Sequence, residues 1–206
     1  MPQKEISKSV LKRLPGYLAY LKSIPDSASP NISATALANA LGMGEVQVRK
    51  DLAMVCDEGR PKIGYPKIAL VDAIEQFLGY DNTTDAVIIG AGKLGQALLG
   101  YSGFEAYGLN ILAAFDIAPT QSDCSGKPIY PISHLESFCR TNKVLMGIIT
   151  VPATVAQTVC DELVSHGVRA IWNFAPTILR VPEGVQVENE NLASSLAVLS
   201  QHWRKV

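Results

Sequence analysis

Hydrophobic positions follow two regimes along the chain. Up to about residue 79 they recur at helical spacing, and beyond it they gather into short β-branched runs separated by helical stretches. In the first regime, residues 10–24 (VLKRLPGYLAYLKSI) place Leu14, Tyr17, Leu18 and Leu21 on one helix face. Pro15 fits a first turn or a kink. Residues 25–30 read as a loop, and Ser33 is placed to cap the helix that follows. Within SATALANALGMGEVQVRKDLAMV, Ala38, Gly42 and Val48 give a small residue at a helix contact, a glycine turn and a β-branched core position. Leu37, Leu41, Val46 and Leu52 complete the apolar set. This is helix-turn-helix spacing, with Gly44 to Val55 as the recognition helix. Residues 57–67 (DEGRPKIGYPK) read as a turn or β-wing, 68–78 as an amphipathic helix closed by Gly79, and 81–84 as a linker.

The second regime opens with Ala86-Val87-Ile88-Ile89, a run suited to a fully buried parallel strand. Gly90-Ala91-Gly92-Lys93-Leu94-Gly95 follows, then helix formers, then a second apolar run from Leu109 to Phe115 that ends on Asp116. An extended piece at 127–131, a helix at 132–139, strands at 144–150 and 168–174, and a helix at 153–166 continue the pattern. One more strand is expected at 185–187, and a last helix from Leu192 to Trp203 is apolar at Leu192, Leu196 and Leu199. The βαβαβ alternation predicts a doubly wound Rossmann sheet. The fold class is therefore α/β, an N-terminal winged helix-turn-helix (1–79) joined to a C-terminal Rossmann domain (80–191), with 192–206 as a terminal helix that packs on a partner or on its own domain.

Chemistry follows from these placements. A G-x-G-x-x-G between strand and helix supplies a tight turn at Gly90, close backbone approach to a pyrophosphate at Gly92 and close helix packing at Gly95. Asp116 stands where a carboxylate accepts from the adenosine ribose hydroxyls. Ile117-Ala118-Pro119 offers no Arg for a 2′-phosphate, so NAD(H) is favoured over NADP(H). Thr150-Val151-Pro152 and Asn173-Phe174-Ala175-Pro176 lie at strand ends and are expected to border the cofactor, with Ile117 and Tyr101 completing the contact set. The plain alternative is a glycine-packed turn without a ligand. In the first domain, Gln47, Arg49 and Lys50 occupy the outward face of the recognition helix. With Ser33, Arg60, Lys62 and Tyr65 they form the candidate DNA-contacting set, and Lys67 adds a cation for the phosphate backbone. A solvated face of a small bundle or dimer domain is the alternative.

Charge adds a little to this picture. The net charge is −1, but residues 1–79 carry +2 and residues 80–206 carry −3, the sign expected of a DNA-binding N-terminus. The four cysteines are scattered without metal-ligand spacing, so free thiols are expected and zinc is not; Cys56, in an expected loop, is a candidate thiol sensor. The N-terminus lacks a signal-peptide apolar core and no run has membrane-span length, so a cytoplasmic location is expected. His134, His166 and His202 read as surface residues, and no substrate domain remains once the nucleotide fold is counted. Binding without turnover is therefore expected.

Arg13-Leu14-Pro15, residues 46–52 (VQVRKDL), Gly90 to Gly95, Phe115-Asp116, Thr150 to Ala153, Ala156-Gln157 and residues 173–176 (NFAP) together resemble the Rex family of bacterial redox-sensing repressors. The resemblance implies a homodimer with a swapped C-terminal helix, released from operator DNA by NADH. The chain departs from that family's pattern in the wing, where Pro61 stands for an Arg. It departs again at a bridge of Arg, Tyr and Asp seen in some members, where Ala19, Tyr101 and Asn191 stand here. Those departures leave room for a divergent paralogue that holds NAD(H) as a structural ligand. A CoA- or nucleotide-binding module resembling the first domain of acyl-CoA ligases is the other alternative.

Overall fold

The computed structural model describes residues 7–25, 27, 29–80 and 82–203. Side chains at 192, 195, 198 and 201–203 lie outside the described set, and so do the expectations placed on those of Leu192, His202 and Trp203. The chain divides into two compact units, Met1–Asn82 and Thr83–Val206.

In the first unit, α1 (Lys8–Ser23) buries Val10, Leu14, Tyr17, Leu18 and Leu21. The helix begins earlier than the periodicity predicts. Pro15 consequently lies in its interior, where the missing N–H costs one intrahelical bond that this buried face outweighs. A short strand β1 (Asn31–Ile32) leads to α2 (Ala34–Leu41), whose N-cap Ser33 accepts from the Ala36 N–H at 3.0 Å. Gly42 ends α2 in the left-handed region, and α3 (Glu45–Val55) follows directly. The turn expected from Gly42 is thus the turn between the two helices.

Strand β2 (Tyr65–Pro66) pairs antiparallel with β1, and α4 (Lys67–Leu78) closes the unit at a left-handed Gly79. The wing between α3 and β2 is cinched by reciprocal backbone bonds between Arg60 and Gly64, both 2.9 Å. Gly64 has φ +91°, and a Cβ there would lie 2.3 Å from the Ile32 carbonyl oxygen, so both backbone and space demand glycine.

Val46 is 66% exposed rather than core, because it lies about 200° around the helix from the buried Val48. Lys67 is buried, and its ammonium donates to the carbonyls of Ile24 and Pro25 at 3.1 and 3.3 Å. It satisfies carbonyls at the end of α1, a favourable place for a cation, and does not face a phosphate backbone. Cys56 caps α3 but is buried, which removes the exposure a sensor thiol needs.

The second unit is a seven-stranded sheet in the order β5-β6-β4-β3-β7-β8-β9. Its strands are β3 (Thr84–Ile89), β4 (Leu109–Asp116), β5 (Asp123–Cys124), β6 (Lys127–Pro131), β7 (Met146–Ile149), β8 (Ala170–Asn173) and β9 (Gln186–Asn189). All neighbours run parallel except the β5–β6 hairpin at the edge. Helices α5 (Lys93–Leu99), α6 (Leu135–Asn142), α7 (Ala153–Ser165) and α8 (Leu192–Trp203) accompany them. Ala86 to Ile89 are all buried, as their unbroken apolar run requires of a central strand.

The helical alternation is incomplete among the described residues. A loop and β5 join β4 to β6, and an irregular stretch joins β8 to β9. Residues 132–134 form a 3-10 turn before α6, so the helix expected at 132–139 starts later and runs to Asn142. No helix of the described residues is long and apolar enough to cross a membrane.

Candidate functional site

Strand order reverses between β3 and β7, and the carboxyl ends of these two strands stand side by side. Gly90 leaves β3 with φ +101°, while Thr150 leaves β7. The Thr150 hydroxyl lies 2.8 Å from the Gly90 carbonyl and 3.1 Å from that of Ile89, tying the two strand ends together. A Cβ on Gly95 would come within 1.9 Å of the Gly90 carbonyl oxygen, so glycine is what lets α5 sit this close to the turn. Gln96 donates to the Ala91 carbonyl at 2.7 Å and closes the loop.

Gly92 differs from both. Its backbone is extended, and no atom lies within 4 Å of a Cβ built there. Neither strain nor packing requires glycine at this point, and Gly92, Lys93 and Leu94 are all exposed.

Asp116 ends β4 beside the turn. One carboxylate oxygen accepts from the Ala91 N–H at 2.7 Å and the other from the Ala118 N–H at 2.9 Å. The acid thus fixes the glycine turn, and Ile117 next to it is 87% exposed. Val151 is half-buried and Pro152 exposed at the start of α7. Tyr101 is 55% exposed, its ring edge-on to Phe104 at 4.9 Å.

The second strand-end segment is turned partly inward. Asn173 is fully buried, and its amide nitrogen faces the carbonyls of Ala175 and Thr177 and the side chain of Asn189, while its oxygen accepts from the Ala175 N–H. That amide braces the turn after β8, with one acceptor site of its oxygen outside these bonds. Ala175 is buried and Phe174 packs on Trp172 at 4.8 Å, leaving Pro176 exposed. Composition gave no sign of the aromatic row Tyr101–Phe104–Trp172–Phe174 that results. Of the histidines, His134 sits exposed in the 3-10 turn. His166 is half-buried at the end of α7 with its Nδ1 unpartnered, so it is less a surface residue than expected. Among the described residues no cluster could hold a metal ion.

In the first unit, Gln47, Arg49 and Lys50 are exposed on α3, as are Arg60 and Lys62 in the wing and Ser33 at the start of α2. Arg49 is paired with Glu45 one turn earlier. Tyr65 belongs elsewhere: it is buried, with its ring packed over Gly59, where a Cβ would meet it at 2.6 Å. Burial raises its hydroxyl pKa, and it is a core residue rather than a DNA contact.

Sequence periodicity missed the group beneath this face. Asp51, 1% exposed, accepts from Arg13 Nε and Nη2 at 2.7 and 2.9 Å, from the Tyr17 hydroxyl at 2.7 Å and from Gln47 Nε2 at 2.9 Å. Burial alone pushes its carboxyl upward, but the three donors outweigh burial and hold it below the usual value. The available signal was Asp51 three residues after Val48, on the inner face, with Arg13 and Tyr17 one turn apart.

These geometries define a class: a winged-helix domain joined to a dinucleotide-type Rossmann domain. The comparisons agree with it and narrow it. A family model described as "Putative DNA-binding protein N-terminus" matches residues 5–53, and one described as "CoA binding domain" matches residues 81–177. A redox-sensing transcriptional repressor Rex of Porphyromonas gingivalis is 38% identical over 98% of this chain and 94% of its own length. One from Clostridium kluyveri is 42% identical over 96% and 95%. Among solved structures, the Rex-family repressor RSP in complex with β-NAD⁺ and operator DNA matches with TM-score 0.90 at 35% identity, covering 97% of this chain and 93% of its own. RSP in complex with β-NADH matches at 0.87 and 34%, covering 98% and 96%. The chain belongs to the Rex family of redox-sensing transcriptional repressors.

Proposed function

We propose that the chain is a repressor that holds operator DNA through α3 and the wing and lets go when NADH occupies the Rossmann crevice. The observation that carries this reading is Gly92, a glycine that the protein's own backbone and packing do not need. A dinucleotide needs it, because its pyrophosphate must approach the main chain there. The backbone of Gly90 to Gly95 and the N–H groups opening α5 would hold the phosphates. Asp116 would accept from the adenosine ribose hydroxyls, and Thr150, Val151 and Pro152 would border the nicotinamide half. The bound nucleotide supplies a redox signal, and no proton-transfer group is assigned because nothing is turned over. RSP structures with β-NAD⁺ plus operator and with β-NADH support the ligand and the partner. The match to a CoA-binding family is accommodated by the shared fold. Asp116 disfavours CoA itself, whose ribose phosphate would meet a carboxylate.

Helix α8 leaves Leu196 and Leu199 65% and 62% exposed, and we assign residues 192–206 to a homodimer contact. The test of the function is a selection of duplexes from a random pool, with and without NADH. A shared motif recovered only without NADH is the expected result, and the same motif recovered equally in both arms counts against it.

Asp116→Ala should narrow the preference for NADH over NADPH by on the order of tenfold or more, since it removes both hydrogen bonds to a charged acceptor and the repulsion of a 2′-phosphate. Calorimetric titration with the two nucleotides reads this, and equal wild-type affinities would remove the specificity argument. Glu45→Gln should tighten DNA binding several-fold at low salt, because it frees Arg49 and removes an anion from the DNA-facing helix. Unchanged affinity over a salt series would show that Arg49 plays no part.

A further inference from the structure

We propose that Asp51 holds the Gln47 amide in one orientation, so that Gln47 reads adenine and rejects guanine in the major groove. The inference rests on the repressor reading and names the base preference of its recognition helix. A carboxylate only accepts hydrogen bonds, so it is the Gln47 nitrogen that faces Asp51, at 2.9 Å. The other acceptor positions of Asp51 are taken by Arg13 and Tyr17, which keep the carboxylate fixed in place. Turning the amide over would set Oε1 against an anionic oxygen at the same distance.

Gln47 therefore presents Oε1, which carries no hydrogen bond among the described residues, together with its second N–H. Adenine offers the matching pair in the major groove, an N6 amino donor and an N7 acceptor. Guanine offers O6 and N7, both acceptors, and leaves Oε1 facing an oxygen. A freely turning glutamine could meet guanine with its amide hydrogens, whereas one tied to Asp51 faces it with Oε1 as well. Arg13, Tyr17 and Asp51 are positioning residues here, and Gln47 is the contact.

The experiment measures binding of the full-length protein to the selected operator duplex and to duplexes carrying each base change at every position. Purine in place of adenine is included, because it lacks only the 6-amino group. For wild type, one A·T pair per half-site is expected to lose about tenfold to a hundredfold on change to G·C, and a comparable factor on change to purine. Gln47→Met should flatten the profile at that pair alone.

Asp51→Asn keeps the shape of the side chain but can donate to Oε1, which permits the turned amide. Discrimination against guanine at that pair should then fall while the rest of the profile persists. A role in folding alone would lower affinity for all duplexes equally and would not move one column of the profile. A Gln47→Met profile identical to wild type overturns the proposal, as does a folded Asp51→Asn with unchanged discrimination. Should Asp51→Asn fail to fold, the purine duplex decides: wild type indifferent to the lost amino group overturns the proposal. Failure of wild type to bind any duplex overturns the repressor reading itself, a different result from binding without this preference.

Discussion

Gly92→Ala is expected to leave the protein as stable as wild type while lowering NADH affinity by at least an order of magnitude, and Gly95→Ala is expected to damage both. The contrast comes from what an added methyl meets. At Gly95 it would lie 1.9 Å from the Gly90 carbonyl oxygen and 3.0 Å from Thr150 Oγ1. The first of these is backbone, so the turn or α5 must move, at a cost of about 1–3 kcal/mol or more for overpacking. At Gly92 the methyl meets nothing within 4 Å, and the extended backbone suits alanine. The stability change there should stay within about 0.5 kcal/mol. The same methyl stands where a pyrophosphate must come close, which is the only reason for the lost affinity. Thermal unfolding and an NADH titration of both variants check this. Gly92→Ala with wild-type affinity would mean that the glycine turn does not cradle a dinucleotide.

Asp51→Ala is expected to destabilise the N-terminal unit by about 3–5 kcal/mol, the range for removing one partner of a buried ion pair. The loss leaves the guanidinium of an Arg13 side chain that is 23% exposed, and a buried tyrosine hydroxyl, without their acceptor. The same group sets an acid limit on stability. Its folded-state pKa lies below the ordinary aspartate value, so its contribution is complete above about pH 4 and is lost as pH falls through the lowered value. Denaturant unfolding followed by far-UV circular dichroism should therefore show a wild-type stability decline below pH 4 that Asp51→Ala largely lacks. Parallel declines in the two proteins would place the acid sensitivity elsewhere.

What could be read from the sequence was local in origin. The glycine turn, the strands flanking it and the helix-turn-helix each depend on residues within one or two turns of one another, so spacing carried them. Asp116 was reached because the second strand of a Rossmann unit ends at a fixed distance from the first. What spacing could not carry was pairing over long separations. Asp51 meets Arg13 and Tyr17, 38 and 34 residues away, and an aspartate on a recognition helix reads by composition as solvated.

Tyr65 and Lys67 failed for the same reason, since both look like wing residues until β2 pairs with β1 and draws them inward. Asn173 ends a strand, and position alone gave no sign that its amide also braces the turn that follows. Val46 was lost to phase: it lies two positions from Val48 and so faces the opposite way.

The wing departs from its family and the structure gives the departure a form. Lys62 takes φ +65° at the tip, a conformation that costs a lysine roughly 1 kcal/mol relative to glycine. Pro61 fixes the residue before it. The loop is thus held by the Arg60–Gly64 bonds and exposes Arg60 and Lys62, so the wing keeps two cations although an Arg is absent at position 61.

The most direct measurement is fluorescence anisotropy of the selected operator duplex bound to the full-length protein, titrated with NADH and, separately, with NAD⁺. The account predicts that NADH releases the duplex at concentrations where NAD⁺ leaves it bound. A complex that stays intact when saturated with NADH would contradict it.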